Sequence, residues 1–107
     1  MKDVLRPALA VGLALAAAGG QAAETDTAHG RLLFETCRGC HAVPGYYNVY
    51  PSYRVPKLGG QNAAYIAAAL RSYKEGSRTH DTMHANASAL SEQDIADIAA
   101  FLEGYGG

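Results

Sequence analysis

The segment Cys37-Arg38-Gly39-Cys40-His41 constrains this chain more than any other, because it holds the only two cysteines in 107 residues. A C-x-x-C-H run is the attachment signature of a c-type haem. Thiols three positions apart stand about one helical turn from each other, so both can add to the two vinyl groups on one porphyrin edge. The next residue, His41, then falls where its ring can offer an axial nitrogen to the iron. Other chemistries fit less well. A thioredoxin-like redox pair belongs in a βαβ setting, and no alternation of strands and helices is legible. A structural zinc site takes four ligands, usually two Cys or His pairs; here His80 and His84 would have to complete it. A coincidental run without cofactor is the remaining alternative.

The size of the chain points the same way. Lys2 and Arg6 precede an uncharged run, "ALAVGLALAAAGGQAA", that ends at Glu24. A basic start, a short apolar stretch and small residues near its end describe a secretory signal peptide. Residues 1–22 are therefore expected to be a cleaved leader, with an uncleaved membrane anchor as the alternative, and residues 23–107 a single soluble domain in the periplasm. A domain that small buries only roughly 60–65% of its unfolded surface and needs a staple. A Cys37–Cys40 disulfide would close too short a loop to restrict the unfolded chain much. A cofactor is the better stabiliser.

Charge excludes some partners and suggests others. The formal net charge is −1, which argues against a nucleic-acid partner. Yet the basic residues Arg31, Arg38, Arg54, Lys57, Arg71, Lys74 and Arg78 dominate residues 28–79, where the acids are Glu35 and Glu75. From His80 onward only acids occur: Asp81, Glu92, Asp94, Asp97 and Glu103.

Three helices are legible. The first spans about Thr27 to Cys37, with Asp26 or Thr27 as N-cap. The second spans about Asn62 to Glu75, where Tyr65, Ile66, Ala69, Leu70 and Tyr73 recur at helical spacing and Gly76 is the stop. The third begins at Ser91, with Asp94 three residues on as its capping-box partner; Ile95, Ile98, Ala99, Leu102 and Tyr105 mark its inner face. Its charged residues, Asp97 included, are expected outside. The segment "AVPGYYNVYPSYRVPKLGGQ" between the first two helices reads as a long ordered loop, and no β-sheet is expected. A second loop, Gly76 to Ala89, contains "THDTMH".

That second loop is expected to supply the iron's other ligand. Met83 is a soft thioether in a polar stretch and is the expected sixth ligand; His/Met ligation raises the reduction potential. His80 and His84 are read as solvated, with bis-histidine ligation as the alternative. The tyrosines Tyr46, Tyr47, Tyr50 and Tyr53 are expected to wall the haem, and Arg54, Arg71 and Arg78 are candidates for pairing with its propionates.

Together, "GRLLFETCRGCH", "VPKLGGQNAAYIAAALRSYKEGSR", Met83 and "LSEQDIADIAAFL" resemble a class I c-type cytochrome, of the small bacterial mono-haem kind that also forms one half of di-haem cytochromes. The likeness covers about Gly30 to Tyr105. It implies an all-α fold, three main helices and long loops around one covalently attached haem c. It also implies that Gly30 and Phe34 meet the Phe101–Leu102 region, and that the carbonyl of Pro56 accepts a hydrogen bond from Nδ1 of His41. The segment after His41 departs from the shorter glycine-rich loop common in such proteins.

The expected function is one-electron carriage between redox protein partners, with Cys37 and Cys40 as tethers, His41 and Met83 on the iron, and no enzymatic activity. Two alternatives stand beside it. One is an electron-entry subunit of a larger oxidoreductase. The other is a haem enzyme or gas sensor whose sixth ligand is labile.

Overall fold

The computed structural model describes residues 24–106; the expected leader at 1–22 lies outside them. The order of elements is α1 (Thr27–His41), β1 (Tyr47–Val49), β2 (Ser52–Arg54), α2 (Ala63–Glu75), α3 (Asp81–Ala87) and α4 (Glu92–Glu103). No helix among the described residues is long and apolar enough to cross a membrane.

Local chemistry sets each boundary. The Asp26 side chain caps α1 by accepting from the N–H of His29. Asn62 caps α2 by accepting from Tyr65 N–H, and Gly76, at φ 85°, ends it in the left-handed region. Ser91 and Asp94 form a reciprocal capping box at the start of α4. Such caps satisfy orphan donors of the first turn and contribute roughly 1 kcal/mol each.

Packing closes the first helix on the last. A Cβ built on Gly30 would stand 2.0 Å from the Asp97 carbonyl oxygen, so α1 and α4 approach backbone to backbone at that point. One turn on, the Phe34 ring meets Phe101 at 5.7 Å and Tyr105 at 5.9 Å. The expected meeting of Gly30 and Phe34 with α4 is therefore found, although Gly30 touches Asp97 and Ile98 rather than Phe101. Phe34, Ile66, Ile98, Ala99 and Leu102 form the buried core. Each large apolar side chain there contributes about 1.5–3 kcal/mol by leaving water. The start of α2 is tied to the end of α4, where Gly60 N–H donates to Leu102 O at 2.8 Å and Ala63 N–H to a Glu103 carboxylate oxygen at 2.7 Å.

Four expectations need correction. First, α1 runs on through Cys40 to His41 rather than ending at Cys37. Second, the long loop contains a hairpin. Tyr47 pairs with Arg54, Asn48 with Tyr53 and Val49 with Ser52, and Val55 N–H donates to Tyr46 O just beyond. Third, Met83 sits in a short helix, α3, not in a loop. Only Ala87 of α3 is buried, so the segment has no apolar period to announce it. Fourth, Asp97 does not face solvent; it is 1% exposed.

Candidate functional site

The extension of α1 through the C-x-x-C-H run places Cys37, Cys40 and His41 on the last turn of one helix. All three line a cavity of about 570 Å³, within the roughly 300–1,000 Å³ typical of cofactor sites. Cys37 and Cys40 are not joined by a disulfide. Burial pushes the Cys37 thiol above its ordinary pKa, partly offset by its hydrogen bond with Thr36.

His41 is oriented by a single contact. Its Nδ1–H donates to the carbonyl of Pro56 at 2.7 Å. That bond fixes the proton on Nδ1 and leaves Nε2 with a free lone pair, the arrangement an axial ligand requires. Leu58 N–H also donates to His41 O at 3.3 Å, which ties the same loop to the end of α1. The hydrogen bond that the resemblance implied for Pro56 is thus present.

Met83 also lines the cavity, as does His80. His80 is the N-cap of α3, and its Nδ1 accepts from Met83 N–H at 3.3 Å. Its ring packs edge-on against Tyr53 at 4.7 Å and Tyr73 at 6.1 Å. A ring whose Nδ1 accepts carries its proton on Nε2 and has no lone pair left for a metal. His84 is not part of the lining; its Nδ1–H donates to Tyr73 O at 2.8 Å. His80 is half-buried rather than solvated, whereas His84 is exposed as expected, though its ring is bonded to α2. Both fasten the segment that carries Met83.

Most of the remaining wall is apolar or aromatic, with Phe34, Ile66, Leu70 and Leu102 from the helices and Tyr50, Pro51 and Tyr53 from the hairpin, and polar side chains, Arg54 and Arg78 among them, complete it. Of the four tyrosines expected as wall, Tyr50 and Tyr53 line the cavity, whereas Tyr46 and Tyr47 do not. No cluster of His, Cys, Asp and Glu able to hold a bare metal ion occurs among the described residues. One large apolar cavity, two thiols a turn apart and one oriented imidazole fit a flat apolar macrocycle that brings its own iron.

Known proteins agree with this fit. The family described as Cytochrome c matches residues 27–105. Cytochrome c4 of Azotobacter vinelandii is 38% identical over 90 residues, which is 78% of this chain and 42% of that protein. Cytochrome c-554(548) of Halomonas halodenitrificans is 38% identical over 71% of this chain and 92% of its own length. The cytochrome subunit of sulfide dehydrogenase from Chlorobaculum tepidum is 33% identical over 67% of this chain. The crystal structure of reduced recombinant cytochrome c4 from Pseudomonas stutzeri superposes with a TM-score of 0.62 at 35% identity, over 80% of this chain and 53% of that one. The chain thus spans about half or less of the cytochromes c4 it matches.

Proposed function

Because this chain belongs to the cytochrome c family and carries a covalently bound haem c, we propose that it is a periplasmic one-electron carrier with His41 and Met83 on the iron. When bound, the haem supplies one-electron exchange between Fe(III) and Fe(II). The protein's residues supply attachment, orientation and potential. Cys37 and Cys40 are the tethers. Pro56 holds the His41 ring through its carbonyl and raises the basicity of the opposite nitrogen. Met83 offers the soft sixth donor, and His80 caps the helix that presents it. If His41 and Met83 both hold the iron, no position would be left for a substrate, so the proposal is a carrier and not an enzyme.

The observation that carries the reading is the His80 cap. It commits the one histidine that lines the cavity near Met83 to a backbone N–H, which leaves the thioether as the available donor. The visible spectrum of the oxidised protein tests it. Met83→Ala is expected to remove the weak long-wavelength sulfur-to-iron band and to lower the midpoint potential. His80→Ala and His84→Ala are expected to retain the band. Its absence in the wild type, or its loss only with a histidine change, would refute Met83 as ligand.

A second reading has support of its own. The likeness to a cytochrome subunit of sulfide dehydrogenase favours permanent attachment to a larger oxidoreductase. A partner that co-purifies through size exclusion at high salt would establish that form; a monomeric haem protein would establish the free carrier.

A further inference from the structure

Sequence leaves Arg54, Arg71 and Arg78 equivalent as candidates for the haem's acidic groups. Their surroundings separate them. Arg71 donates through Nε to a Glu92 carboxylate oxygen at 2.7 Å and does not line the cavity. Arg54 and Arg78 both line it, and neither has a carboxylate partner among the described residues. The described lining contains no Asp or Glu. The lining therefore includes two exposed arginines and no carboxylate, the charge complement of a dicarboxylate.

We propose that Arg54 and Arg78 are the counter-charges for the two propionate carboxylates of the haem; the inference rests on the haem reading above. A haem brings two carboxylates into a largely apolar cleft, and a carboxylate taken from water without a partner is strongly disfavoured. Guanidinium is the best match, because its planar fork donates two parallel hydrogen bonds to one carboxylate. The propionates leave the porphyrin edge away from the two thioether positions. Their partners must come from elements other than the α1 turn that carries Cys37 and Cys40, and these two arginines do.

Both arginines stand beside a common seam. Arg54 ends β2, paired with Tyr47 across the hairpin. Its neighbour Tyr53 donates its hydroxyl to Thr82 Oγ1 at 3.2 Å and packs on His80, which joins the hairpin to the start of α3. Arg78 lies in the turn between α2 and α3. Its backbone N–H donates to Ser72 O at 3.1 Å, and its guanidinium carbon sits 4.6 Å from the centroid of the Tyr73 ring. A guanidinium held over an aromatic face keeps its edge N–H donors for a carboxylate. Tyr73 thus holds the Arg78 guanidinium, and Tyr53 fixes the strand from which Arg54 projects.

Resonance Raman spectra of the purified holoprotein test the proposal, since the propionate bending bands respond to hydrogen bonding at the carboxylates. The bands are expected to shift in Arg54→Gln and in Arg78→Gln, and to stay in Arg71→Gln. The midpoint potential should fall in the first two, because loss of a nearby positive charge favours Fe(III). Where a glutamine variant does not accumulate, Arg54→Lys and Arg78→Lys keep the charge and lose the fork, and the bands should still move. Unmoved propionate bands in either cavity variant, with the haem absorption intact, would overturn the two-arginine assignment. A wild-type protein without haem absorption would instead refute the haem reading beneath it.

Discussion

Nδ1 of His29 donates to a carboxylate oxygen of Asp97 at 2.8 Å, across 68 positions of sequence and from α1 to α4. The same carboxylate accepts from Asp26 N–H at 2.8 Å and from Gln93 Nε2 at 2.8 Å. Three donors converge on one buried acid at the point where the first and last helices meet. The hydrogen bond with the Asp26 backbone, then that with His29, holds Asp97 below the ordinary carboxylate range. The bond to Asp97 holds His29 above its own ordinary value.

These opposite shifts fix a pH window. The contribution of Asp97 is complete above an unfolded value of about 3.9, and is lost as pH falls through the lower folded one. The contribution of His29 is complete below about 6.5, and is lost as pH rises through the higher folded one. Thermal melts of wild type and His29→Gln should therefore differ most near pH 5–6 and converge toward pH 9. A difference that is constant across this range would contradict the ion pair.

Gly30→Ala should be disruptive. The new Cβ would meet the Asp97 carbonyl oxygen at 2.0 Å and its carbon at 2.5 Å, both backbone atoms of α4. Overpacking in a closed core costs about 1–3 kcal/mol, and the need to move a helix backbone favours the upper end. An unchanged denaturation midpoint for the holoprotein would disprove the close approach of α1 and α4.

Loss of haem attachment should unfold the domain. The buried core contains few large aliphatic side chains, Val55, Ile66, Ile95, Ile98 and Leu102 beside Phe34, while much of the remaining apolar surface faces the cavity. Exported Cys37→Ala/Cys40→Ala protein is expected to show little helical circular dichroism and no cooperative melt. A compact, cooperatively melting double variant without haem would contradict this.

Electron transfer to the natural partner should slow as salt rises. No acid occurs between Glu35 and Glu75 in sequence, where Arg38, Arg54, Lys57, Arg71 and Lys74 fall, and the two propionates would offset only part of that charge. The hairpin tip exposes Val49 at 87% and Tyr50 at 94%. A positive rim around an apolar tip suits a partner with an acidic rim, and salt shortens the reach of such a field to about 8 Å at physiological strength. Second-order rates that stay flat or rise with ionic strength would remove steering and leave apolar docking through the hairpin; Tyr50→Ala would then weaken binding without changing the salt slope.

What the sequence determined by itself was short-range. The spacing of Cys37, Cys40 and His41, the Ser91–Asp94 capping box, the Asn62 cap and the Gly76 stop each act within four residues, so the residue types alone imply the geometry. The helical stripe of α4 is legible for a similar reason, since period and burial coincide over twelve residues. The likeness to known cytochromes added two long-range contacts, His41 to Pro56 and Phe34 to Phe101.

Tertiary structure decided what depends on residues distant in sequence. Asp97 sits among the acids of α4 and carries no local sign of burial; only the closing of α1 brings Asp26 and His29 to it. His80 and His84 look like loop residues until α3 folds against α2, where one becomes a cap and the other a strut to Tyr73. The three-residue strands of the hairpin lie beside prolines and have too few positions to show a period. Arg54, Arg71 and Arg78 are alike in sequence, and only Glu92 in α4 and the wall of the cavity tell them apart. Local signals specify helices because their hydrogen bonds span four residues. Partners of buried charges are specified only when chain closure brings distant groups within about 3 Å.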